Sequence, residues 1–550
     1  MLGVKISCEV WLVILGTLVA VLLRVCTTLH PYSGEANPPL YGDYEAQRHW
    51  MEITTNLPIN RWYKNSEDNN LTYWGLDYPP LTAYHMFLCG KVAEFLNKNY
   101  TKLHDSRGHE SEEHKLFMRY TVLAADLLVY VPALIAFYAT TPKTKEKKLK
   151  QKPLSGSLST ILALLYPGII LIDHGHFQYN CVSLGFAIFA TIFVLHKCNI
   201  AASICFCVAL NYKQMELYHA LPFFMYLLSS CVPKPGQTAS SSFIKLAKIA
   251  LTVIISFLVI WSPFLFDLDD FLAVLQRQFP IDRGVFEDKV SNFWCALNVF
   301  YKLKLRFSNY EMMRICLFAT ISTVFPSSFD LFLRPSSKKF VVALINSSLA
   351  FFLFSFQVHE KTILLVAVPV LLYFPQKPFV CFWFLCISVF SMLPLLYKDG
   401  LIIATIALML FYIISFRVSI EHFYRNSLNA SDGFAEYYRS LLHVLLDVEY
   451  NKATQMDILK VTYKQIIKNK EALKNFAFHV MMMASLIGCL LLSFILLVFD
   501  PPDRYPDLFP LLISVYSALH FFGFFIYFNV KQIRIPQEFD DIRNVKVKAS

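Results

Sequence analysis

The sequence predicts an all-α polytopic membrane protein with about 14 transmembrane helices. Its 550 residues are 56% hydrophobic and only 16% charged, a far more apolar composition than that of a soluble globular domain. About 14 apolar runs are long enough to cross roughly 30 Å of hydrocarbon. The polar motifs fall between these runs, and counting the runs in order places every motif on the same side of the membrane.

The predicted spans are separated by short connections except at three polar regions. In chain order, the spans cover residues 8–29, 117–139, 155–172, 181–196, 199–212, 216–232, 243–266, 312–333, 339–357, 361–375, 378–396, 400–417, 478–499 and 507–529. Residues 1–417 form a membrane body with two polar loops, 30–116 and 267–311. Residues 418–477 form a charged, helix-rich insert, and residues 478–550 hold the last two spans and a tail.

A lysine-rich loop orients the predicted spans. Residues 140–153 carry six lysines and one glutamate between the second and third spans, and such a short basic loop stays cytoplasmic. The first span is a retained anchor, because Arg24 interrupts it and no small-residue cleavage site follows. The loops 30–116 and 267–311 then lie on the lumenal side, whereas the insert and the carboxyl tail are cytoplasmic.

Two kinds of short motif indicate the endoplasmic reticulum. Lys546 and Lys548 lie close to the carboxyl end and resemble a dilysine retrieval signal of proteins of that membrane. The glycosylation acceptors Asn70 and Asn99 fall in the loop assigned to the lumen, as acceptors must. We therefore expect a multi-pass protein of the endoplasmic reticulum membrane.

Composition also excludes several kinds of partner. The net charge of +10 does not indicate nucleic-acid binding, because Lys and Arg are divided among the loops rather than gathered on one domain. The 13 cysteines lie mostly within apolar runs and form no CxxC pattern. We therefore predict no nucleic-acid partner, no disulfide framework and no zinc site.

Two surface helices are predicted in the first polar loop. In AQRHWMEITTNL, the apolar residues Trp50, Ile53 and Leu57 recur at helical spacing with charges opposite, which predicts a helix lying along the membrane surface. A second helix follows Pro79 and Pro80 in LTAYHMFLCGKVAEFL, because proline is tolerated in a first helical turn.

Two aspartates in this loop have either a catalytic or a capping role. Asp77 lies in WGLDYPP, where each proline disfavours helix in the residue before it, so the carboxylate has the stiff support that a general base needs. The alternative is that Asp77 caps the helix after it, and Asp43 in YGDYEAQRHW has the same two interpretations. Glu45 and Glu52 are either functional or plain first-turn and solvated charges.

A cluster of polar residues is predicted where the third span ends. Asp173, His174, His176 and Gln178 lie together in DHGHFQYN, but their spacing matches no strong metal template. Binding of a ligand, or satisfaction of the backbone at the end of a span, is the favoured interpretation, with metal ligation as the alternative.

Cations on the lumenal side suggest a phosphate ligand. Arg283, Lys289, His359 and Lys361 fall in loops that need no basic residues for orientation, so phosphate binding competes with plain solvation. A phosphate linked to a lipid would lie at this depth, just outside the hydrocarbon.

Another pair of charges lies three residues apart in NYKQMELYH. Lys213 and Glu216 would share one face of a helix there. The simplest interpretation is a salt bridge at the membrane interface.

Several long motifs carry a family resemblance. YGDYEAQRHWMEITTNLPINRWY, NNLTYWGLDYPPLTAYH, DHGHFQYN, RGVFEDKVSNFW and VHEKTIL closely resemble the dolichyl-phosphate-glucose-dependent α-1,3-glucosyltransferases of N-glycan precursor assembly. The resemblance covers about residues 30–365. GDYEAQRHW with WGLDYPPLTAYH is most similar to members that add the first glucose to the lipid-linked nine-mannose oligosaccharide, rather than to the sister enzymes that add the second.

This resemblance implies a GT-C fold with lumenal surface helices, and it implies roles for particular residues. It implies that Asp77 is the catalytic base and that His359 lies near the donor phosphate. Arg283 and Lys289, in RGVFEDK, are further implied substrate-binding residues. Lys361 is predicted to bind substrate as one of the lumenal cations described above. Asp43, Asp173 and His176 complete the predicted substrate-binding set.

The implied reaction agrees with the residue types. Dolichyl-phosphate glucose has a β linkage and the product an α linkage, so the anomeric centre inverts in one displacement and one base suffices. The leaving lipid phosphate needs cations rather than a general acid. A donor with a single phosphate needs no divalent ion, so we expect no metal and no other cofactor. The acceptor is the dolichyl-diphosphate-linked oligosaccharide.

A lipid-linked sugar transporter is the alternative from another class of protein. A transporter would carry polar residues in the middle of its spans and show two related halves. Here the polar motifs lie outside the spans on one side, and the sequence shows no related halves.

Overall fold

The computed structural model describes residues 7–141, 154–233, 236–279, 290–427 and 470–536. All regular secondary structure in these residues is helical. The chain divides into two compact units, the first comprising residues 1–409 and 510–550 and the second residues 410–509. All the residues of the candidate site belong to the first unit.

The described helices follow the predicted order of the apolar runs. The amino-terminal half contains α1 (Cys8–Thr27), α2 (Asp43–Asn56), α3 (Pro80–Leu96), α4 (Glu112–Thr140), α5 (Gly156–Phe177), α6 (Asn180–Leu195), α7 (Asn199–Tyr212), α8 (Leu217–Cys231) and α9 (Ala239–Phe264). The carboxyl-terminal half contains α10 (Leu268–Gln278), α11 (Phe293–Tyr301), α12 (Asn309–Leu333), α13 (Ser337–Phe354), α14 (Leu364–Tyr373), α15 (Pro378–Ser391), α16 (Ile402–Ser427), α17 (Lys470–Val498) and α18 (Leu508–Ile533).

Each of the predicted apolar runs overlaps one of these helices. Within the described residues, nine helices are long and apolar enough to cross a membrane, namely α1, α4, α5, α9, α12, α13, α16, α17 and α18. The other runs form helices of 10 to 16 residues, shorter than the about 20 residues that a perpendicular crossing needs. The chain is therefore a multi-pass membrane protein, and a total of about 14 spans stays a prediction.

Both predicted helices of the first polar loop are present as α2 and α3. Helix α3 begins at Pro80, where the ring fixes a helical φ and the missing N–H has no partner to lose. Helix α2 begins at Asp43, and it differs from the predicted amphipathic helix because nearly all of its residues are buried. The position of these helices relative to the membrane surface stays a prediction.

A buried ion network replaces the predicted solvated face of α2. Arg48 is fully buried, and its guanidinium donates to Glu45 at 2.7 Å and to Glu52 at 2.7 Å. Burial alone would raise the pKa of Glu52, but the bond to His49 and the charge of Arg48 outweigh it and hold that pKa at about 2. Of the alternatives for Glu45 and Glu52, the solvated one is wrong, because the loop folds over both side chains, whereas Glu45 does lie in the first turn of α2.

The same network holds the rest of the first polar loop. Ser106 accepts from Arg48 at 2.6 Å, and the backbone N–H of His104 donates to Glu52 at 2.8 Å. Tyr73 donates to Glu45 at 2.8 Å. Three separate parts of the loop therefore meet on one guanidinium and its two carboxylates.

A second buried cluster ties α1 to α4 and α5. Arg24 donates to Asp126 at 2.5 Å and to the carbonyl of Leu164 at 2.9 Å, and Asp126 also contacts His174 at 2.8 Å. All three charged or titratable side chains are almost completely buried. The arginine that interrupts the first apolar run therefore fixes that helix against its neighbours.

Several predicted features lie outside the described residues. These are most of the lysine-rich loop, most of the insert 418–477, and the carboxyl tail with Lys546 and Lys548. Asn70 and Asn99 are both exposed. All 13 cysteines lie in the described part of the chain as free thiols.

We expect the Arg24 pair to stabilise the first unit. Replacing only Asp126 with leucine leaves a buried guanidinium without its carboxylate and should cost on the order of 3–5 kcal/mol. The double substitution Arg24→Met with Asp126→Leu should recover much of this loss, because no unpaired charge then remains. Thermal unfolding of the purified protein in lipid nanodiscs measures both effects, and equal losses in the single and double variants would contradict the pairing.

We also expect the Glu52 network to stabilise the protein at neutral pH. The folded-state pKa of Glu52 lies below its ordinary value, so this stabilisation is complete above about pH 4.5 and is lost as pH falls toward about 2. Glu52→Gln should lower the free energy of unfolding at neutral pH by about 1–3 kcal/mol. Near pH 3 the variant and the wild type should differ less, and a difference that grows on acidification would contradict the assignment.

Candidate active site

The site is built around the end of α5. Its last eight residues, Ile170–Phe177, form a π-helix, a widened geometry common at functional positions. Phe177 then adopts a φ of +89°, a left-handed conformation that is strained for a bulky side chain. His176 lies just before this turn and Gln178 just after it, and both side chains reach the same carboxylate.

That carboxylate belongs to Asp43 at the start of α2. His176 Nε2 lies 3.0 Å from Asp43 Oδ2, and the amide of Gln178 and the ammonium of Lys361 donate to the same oxygen. Lys361 Nζ also lies 3.3 Å from His176 Nε2. The structure therefore brings together three predicted site residues that are separated by up to 318 positions in the chain.

The surroundings of Asp43 keep it ionised. Burial by itself would raise the pKa of the Asp43 carboxyl, but the Lys361 ammonium and the hydrogen bond from His176 hold that pKa well below its usual range. About a fifth of the side chain, 21%, remains exposed. Helix α2 has Gly42 as its N-cap, with no side-chain hydrogen bond there, so Asp43 does not cap its helix.

Asp399 is a member of this cluster that the sequence analysis missed. Its Oδ2 lies 2.6 Å from His176 Nδ1, so the imidazole stands between two carboxylates. Asp399 follows the short helix Leu393–Lys398, and Gly400 after it takes a φ of +71° that favours glycine. In the sequence, the sign of a functional residue here was an acidic residue directly before a glycine, at the end of an apolar run.

Asp173 lies behind the cluster and positions its neighbours. The carboxylate is fully buried and accepts from Asn180 Nδ2 at 2.7 Å and from the backbone N–H of Cys181 at 2.7 Å. Asn180 in turn accepts from Lys213 Nζ at 2.5 Å. Asp173 therefore orients the first turn of α6, and through Asn180 it orients Lys213.

The predicted salt bridge between Lys213 and Glu216 is wrong. Glu216 contacts His219 Nδ1 at 2.7 Å, and the other nitrogen of that imidazole lies 2.8 Å from the carbonyl of Leu365. Lys213 instead points to the side chains that follow α5. The chain leaves the helical path at Lys213, so the three-residue spacing no longer places both charges on one face.

The backbone of the WGLDYPP segment is fixed by hydrogen bonds to successive carbonyl oxygens. The five successive carbonyls of residues 74–78 each accept a hydrogen bond from a side chain elsewhere in the loop or body. The donors, in the order of the carbonyls, are Trp50 at 2.8 Å, Arg277 at 2.7 Å, Arg277 at 3.1 Å, Gln214 at 2.9 Å and Tyr63 at 2.8 Å. We call residues 74–78 the strap. Its backbone has the rigid support that the prolines predicted.

Asp77 is half-buried on this strap. Helix α3 has Pro79 as its N-cap, in an extended conformation and with no side-chain hydrogen bond, so Asp77 does not cap that helix. The Asp77 charge is close enough to Tyr63 to raise the pKa of that phenol, in addition to the larger effect of burial. A depression beside the strap is lined by Gln47, Tyr78, Gln178 and Lys213, among others.

The remaining predicted cations divide into two groups. His359 is the N-cap residue of a short 3-10 helix, Glu360–Ile363, and Lys361 lies within that helix. The carbonyl of His359 accepts from Thr362 Oγ1 at 2.7 Å. Arg283 and Lys289 lie outside the described residues. Within the described ranges, no group of three or more His, Cys, Asp or Glu side chains is arranged to hold a metal ion.

Comparison with known proteins assigns the chain to a family. A profile of the ALG6, ALG8 glycosyltransferase family matches residues 16–528. A Gallus gallus protein named dolichyl pyrophosphate Man9GlcNAc2 alpha-1,3-glucosyltransferase is 45% identical over 534 residues, covering 95% of this chain and 97% of the relative. A Drosophila melanogaster protein with the same name, marked probable, is 43% identical over 512 residues, covering 93% of this chain and 96% of the relative.

A solved structure gives a weaker likeness. The crystal structure of ArnT from Cupriavidus metallidurans bound to undecaprenyl phosphate is 13% identical, with a TM-score of 0.35, and the match covers 96% of this chain and 78% of that one. The family profile and the two relatives each extend over nearly the whole length of the chain. The protein therefore belongs to the ALG6, ALG8 glycosyltransferase family.

Proposed function

We propose that this chain transfers glucose from dolichyl-phosphate glucose to a mannose hydroxyl of the dolichyl-diphosphate-linked nine-mannose oligosaccharide, forming an α-1,3 linkage with inversion. The observation that carries this proposal is the near full-length identity of 45% to a relative named for that acceptor and linkage. The rigid strap and the charged cluster supply the kinds of side chain that such a transfer needs. The chain would have a GT-C fold and act in the endoplasmic reticulum membrane, with its site facing the lumen.

In this proposal Asp77 takes the proton of the acceptor hydroxyl. The acceptor oxygen attacks the anomeric carbon, a new C–O bond forms, and the bond from that carbon to the phosphate oxygen breaks with its electron pair. The proton goes to the carboxylate and the negative charge goes to the lipid phosphate. A base on a backbone held at five successive carbonyls keeps its position while the acceptor binds.

Cations near the leaving group stabilise the charge that develops on the phosphate. Lys361 and His359 are proposed for this role, together with Arg283 and Lys289, which the family resemblance implies. Lys361 already neutralises Asp43, so this lysine is placed by a carboxylate before any substrate arrives. His176 holds Asp43 from the other side, and its own second nitrogen is fixed by Asp399.

One observation favours Asp43 as a second candidate for the base. Its side chain is partly exposed and its cationic neighbours keep it ionised, as a base must be before the reaction. The same neighbours lower its affinity for a proton, which makes it a weaker base than a carboxylate of ordinary pKa. Asp43 is therefore proposed first as a substrate-binding and positioning residue.

We expect Asp77→Asn to lower kcat by at least about 100-fold, because general-base catalysis contributes roughly 10²–10⁴-fold. The strap should stay intact, since its hydrogen bonds use the backbone of residue 77 and not its carboxylate. Purified protein with both lipid substrates gives the rates, and thermal unfolding verifies the fold.

The matched variant is Asp43→Asn. It should raise the donor KM as well as lower kcat, because it releases Lys361 and His176 from their partner. If Asp43→Asn abolishes transfer while Asp77→Asn retains most of the wild-type kcat, Asp43 is the base and the assignment to Asp77 is wrong.

The position of the added glucose separates two members of the family. We expect the protein to glucosylate a lipid-linked nine-mannose acceptor that carries no glucose, and to be at least tenfold slower on the acceptor that already carries one. Mass spectrometry of the released oligosaccharides counts the added hexoses. The opposite preference would identify the enzyme that adds the second glucose.

A further inference from the structure

Lys213 is a buried cation whose direct partners are all uncharged. Its ammonium donates to Asn180 Oδ1 at 2.5 Å and to Gln178 Oε1 at 3.2 Å, and it lies 5.0 Å from the centre of the Tyr78 ring. Only 7% of the residue is exposed. Among the described residues, no carboxylate lies within salt-bridge distance of this nitrogen.

Such an ammonium is costly unless a further partner arrives. Burying an ammonium is unfavourable, and burial together with repulsion from Lys361 lowers the pKa of Lys213 to about 8, although the more distant carboxylates of Asp173, Asp43 and Glu216 act in the opposite direction. An ammonium has three N–H donors, and the two amide oxygens use two of them. Asp43 lies between the two lysines as a counter-ion of Lys361, and Lys213 keeps one N–H donor with which it can bind a further anion.

Gln178 connects the two lysines. Its oxygen accepts from Lys213, while its nitrogen donates to Asp43, the carboxylate that Lys361 also contacts. The distance between the lysines is thus set by one amide side chain and one carboxylate. Both cations are fixed in place without being joined by a bond of their own.

The depression beside Lys213 contains a second polar atom that lacks a partner. Gln47, which is 3% exposed, also lines it, and its Oε1 accepts no hydrogen bond from the described residues. A buried acceptor without a donor calls for an explanation, and a hydroxyl of a bound molecule is one. A buried cation and a buried acceptor on residues that line the same depression are the kinds of group that bind a phosphate and a neighbouring hydroxyl.

We propose that Lys213 is a phosphate-binding residue which, with Lys361, holds the phosphate of a polyprenyl phosphate beside the strap. This inference rests on the proposed function for the identity of the leaving group. When the bond between the anomeric carbon and the phosphate oxygen breaks, the lipid phosphate changes from one negative charge to two. The second lysine therefore binds the leaving phosphate more strongly than it binds the donor.

Binding of dolichyl phosphate to the full-length protein tests the proposal. In nanodiscs, dolichyl phosphate should raise the unfolding temperature of the wild type, by more as its concentration increases above Kd, whereas dolichol should not. Lys213→Met should weaken this binding at least tenfold, and Lys213→Arg should retain most of it because the charge remains. Lys91→Met, at an exposed lysine of α3, should leave the binding unchanged.

Inorganic phosphate distinguishes the source of the anion. Competition by millimolar inorganic phosphate would mean that the two lysines recognise the phosphate alone. Failure to compete, with dolichyl phosphate still bound, would mean that the lipid chain is also required. Both results support the site, whereas equal binding of dolichyl phosphate by the wild type and by Lys213→Met overturns it.

A measurement on the wild type covers the case in which Lys213→Met does not fold. Amine-selective acylation reaches a buried lysine only through local opening of the fold, so peptide mass spectrometry should show slow labelling of Lys213 without ligand and at least several-fold slower labelling with dolichyl phosphate, with the exposed Lys91 unaffected. An unchanged labelling rate for Lys213 at saturating dolichyl phosphate would refute the proposal.

These binding experiments need neither glucose nor an acceptor. If the protein failed to transfer glucose, the dolichyl phosphate site could still be present, and the proposed function alone would be wrong. If the wild type transfers glucose and Lys213→Met binds dolichyl phosphate normally, the assignment of Lys213 alone is wrong.

Discussion

The site depends on the contact between the Asp43 carboxylate and three donors from distant parts of the chain. His176 and Gln178 come from the end of α5, and Lys361 comes from the turn before α14. One carboxylate oxygen thus joins the first polar loop to two places in the helical body. Without it, the lysine and the imidazole would have no common partner, and the start of α2 would have no polar link to α5.

Buried charged residues connect separate parts of the first polar loop. The loop buries apolar side chains such as Trp50, Met51 and Ile53, and buried polar contacts add to this core. Arg48 and the carboxylates of Glu45 and Glu52 connect three parts of the loop. The strap is fixed by hydrogen bonds to its backbone oxygens. These contacts fix backbone rather than side chains at Asp77. The position of the Asp77 backbone is therefore fixed by contacts from Trp50, Arg277, Gln214 and Tyr63.

Much of the architecture could be predicted from the sequence, because the formation of a helix depends mainly on the residues within it. An apolar run predicts a helix whatever its neighbours are, and the runs and the helices agree throughout the described residues. Asp43, His176 and Lys361 were found because each lies in a polar motif next to a span. Which helices cross the membrane was harder to predict, since a run of 14 residues suits either a short span or a buried core helix.

What the sequence did not reveal is pairing over long distances. Asp399 contacts His176 across 223 positions, and no local pattern connects an aspartate before a glycine to a histidine so far away. A solvated position was one of the two alternatives for Glu52 because its helix has an apolar stripe, yet the loop covers the opposite face as well.

Lys213 shows how a local rule can point to the wrong partner. A helical spacing joined it to Glu216, but the chain leaves the helix at this residue, and the ammonium is turned toward two amide oxygens. Amides orient a cation without neutralising it, whereas a carboxylate would do both. The charge of Lys213 therefore stays available to a ligand, while that of Lys361 is shared with Asp43. Under the proposed function, the site binds a singly charged donor and stabilises a doubly charged leaving group, and one lysine of each kind suits that requirement.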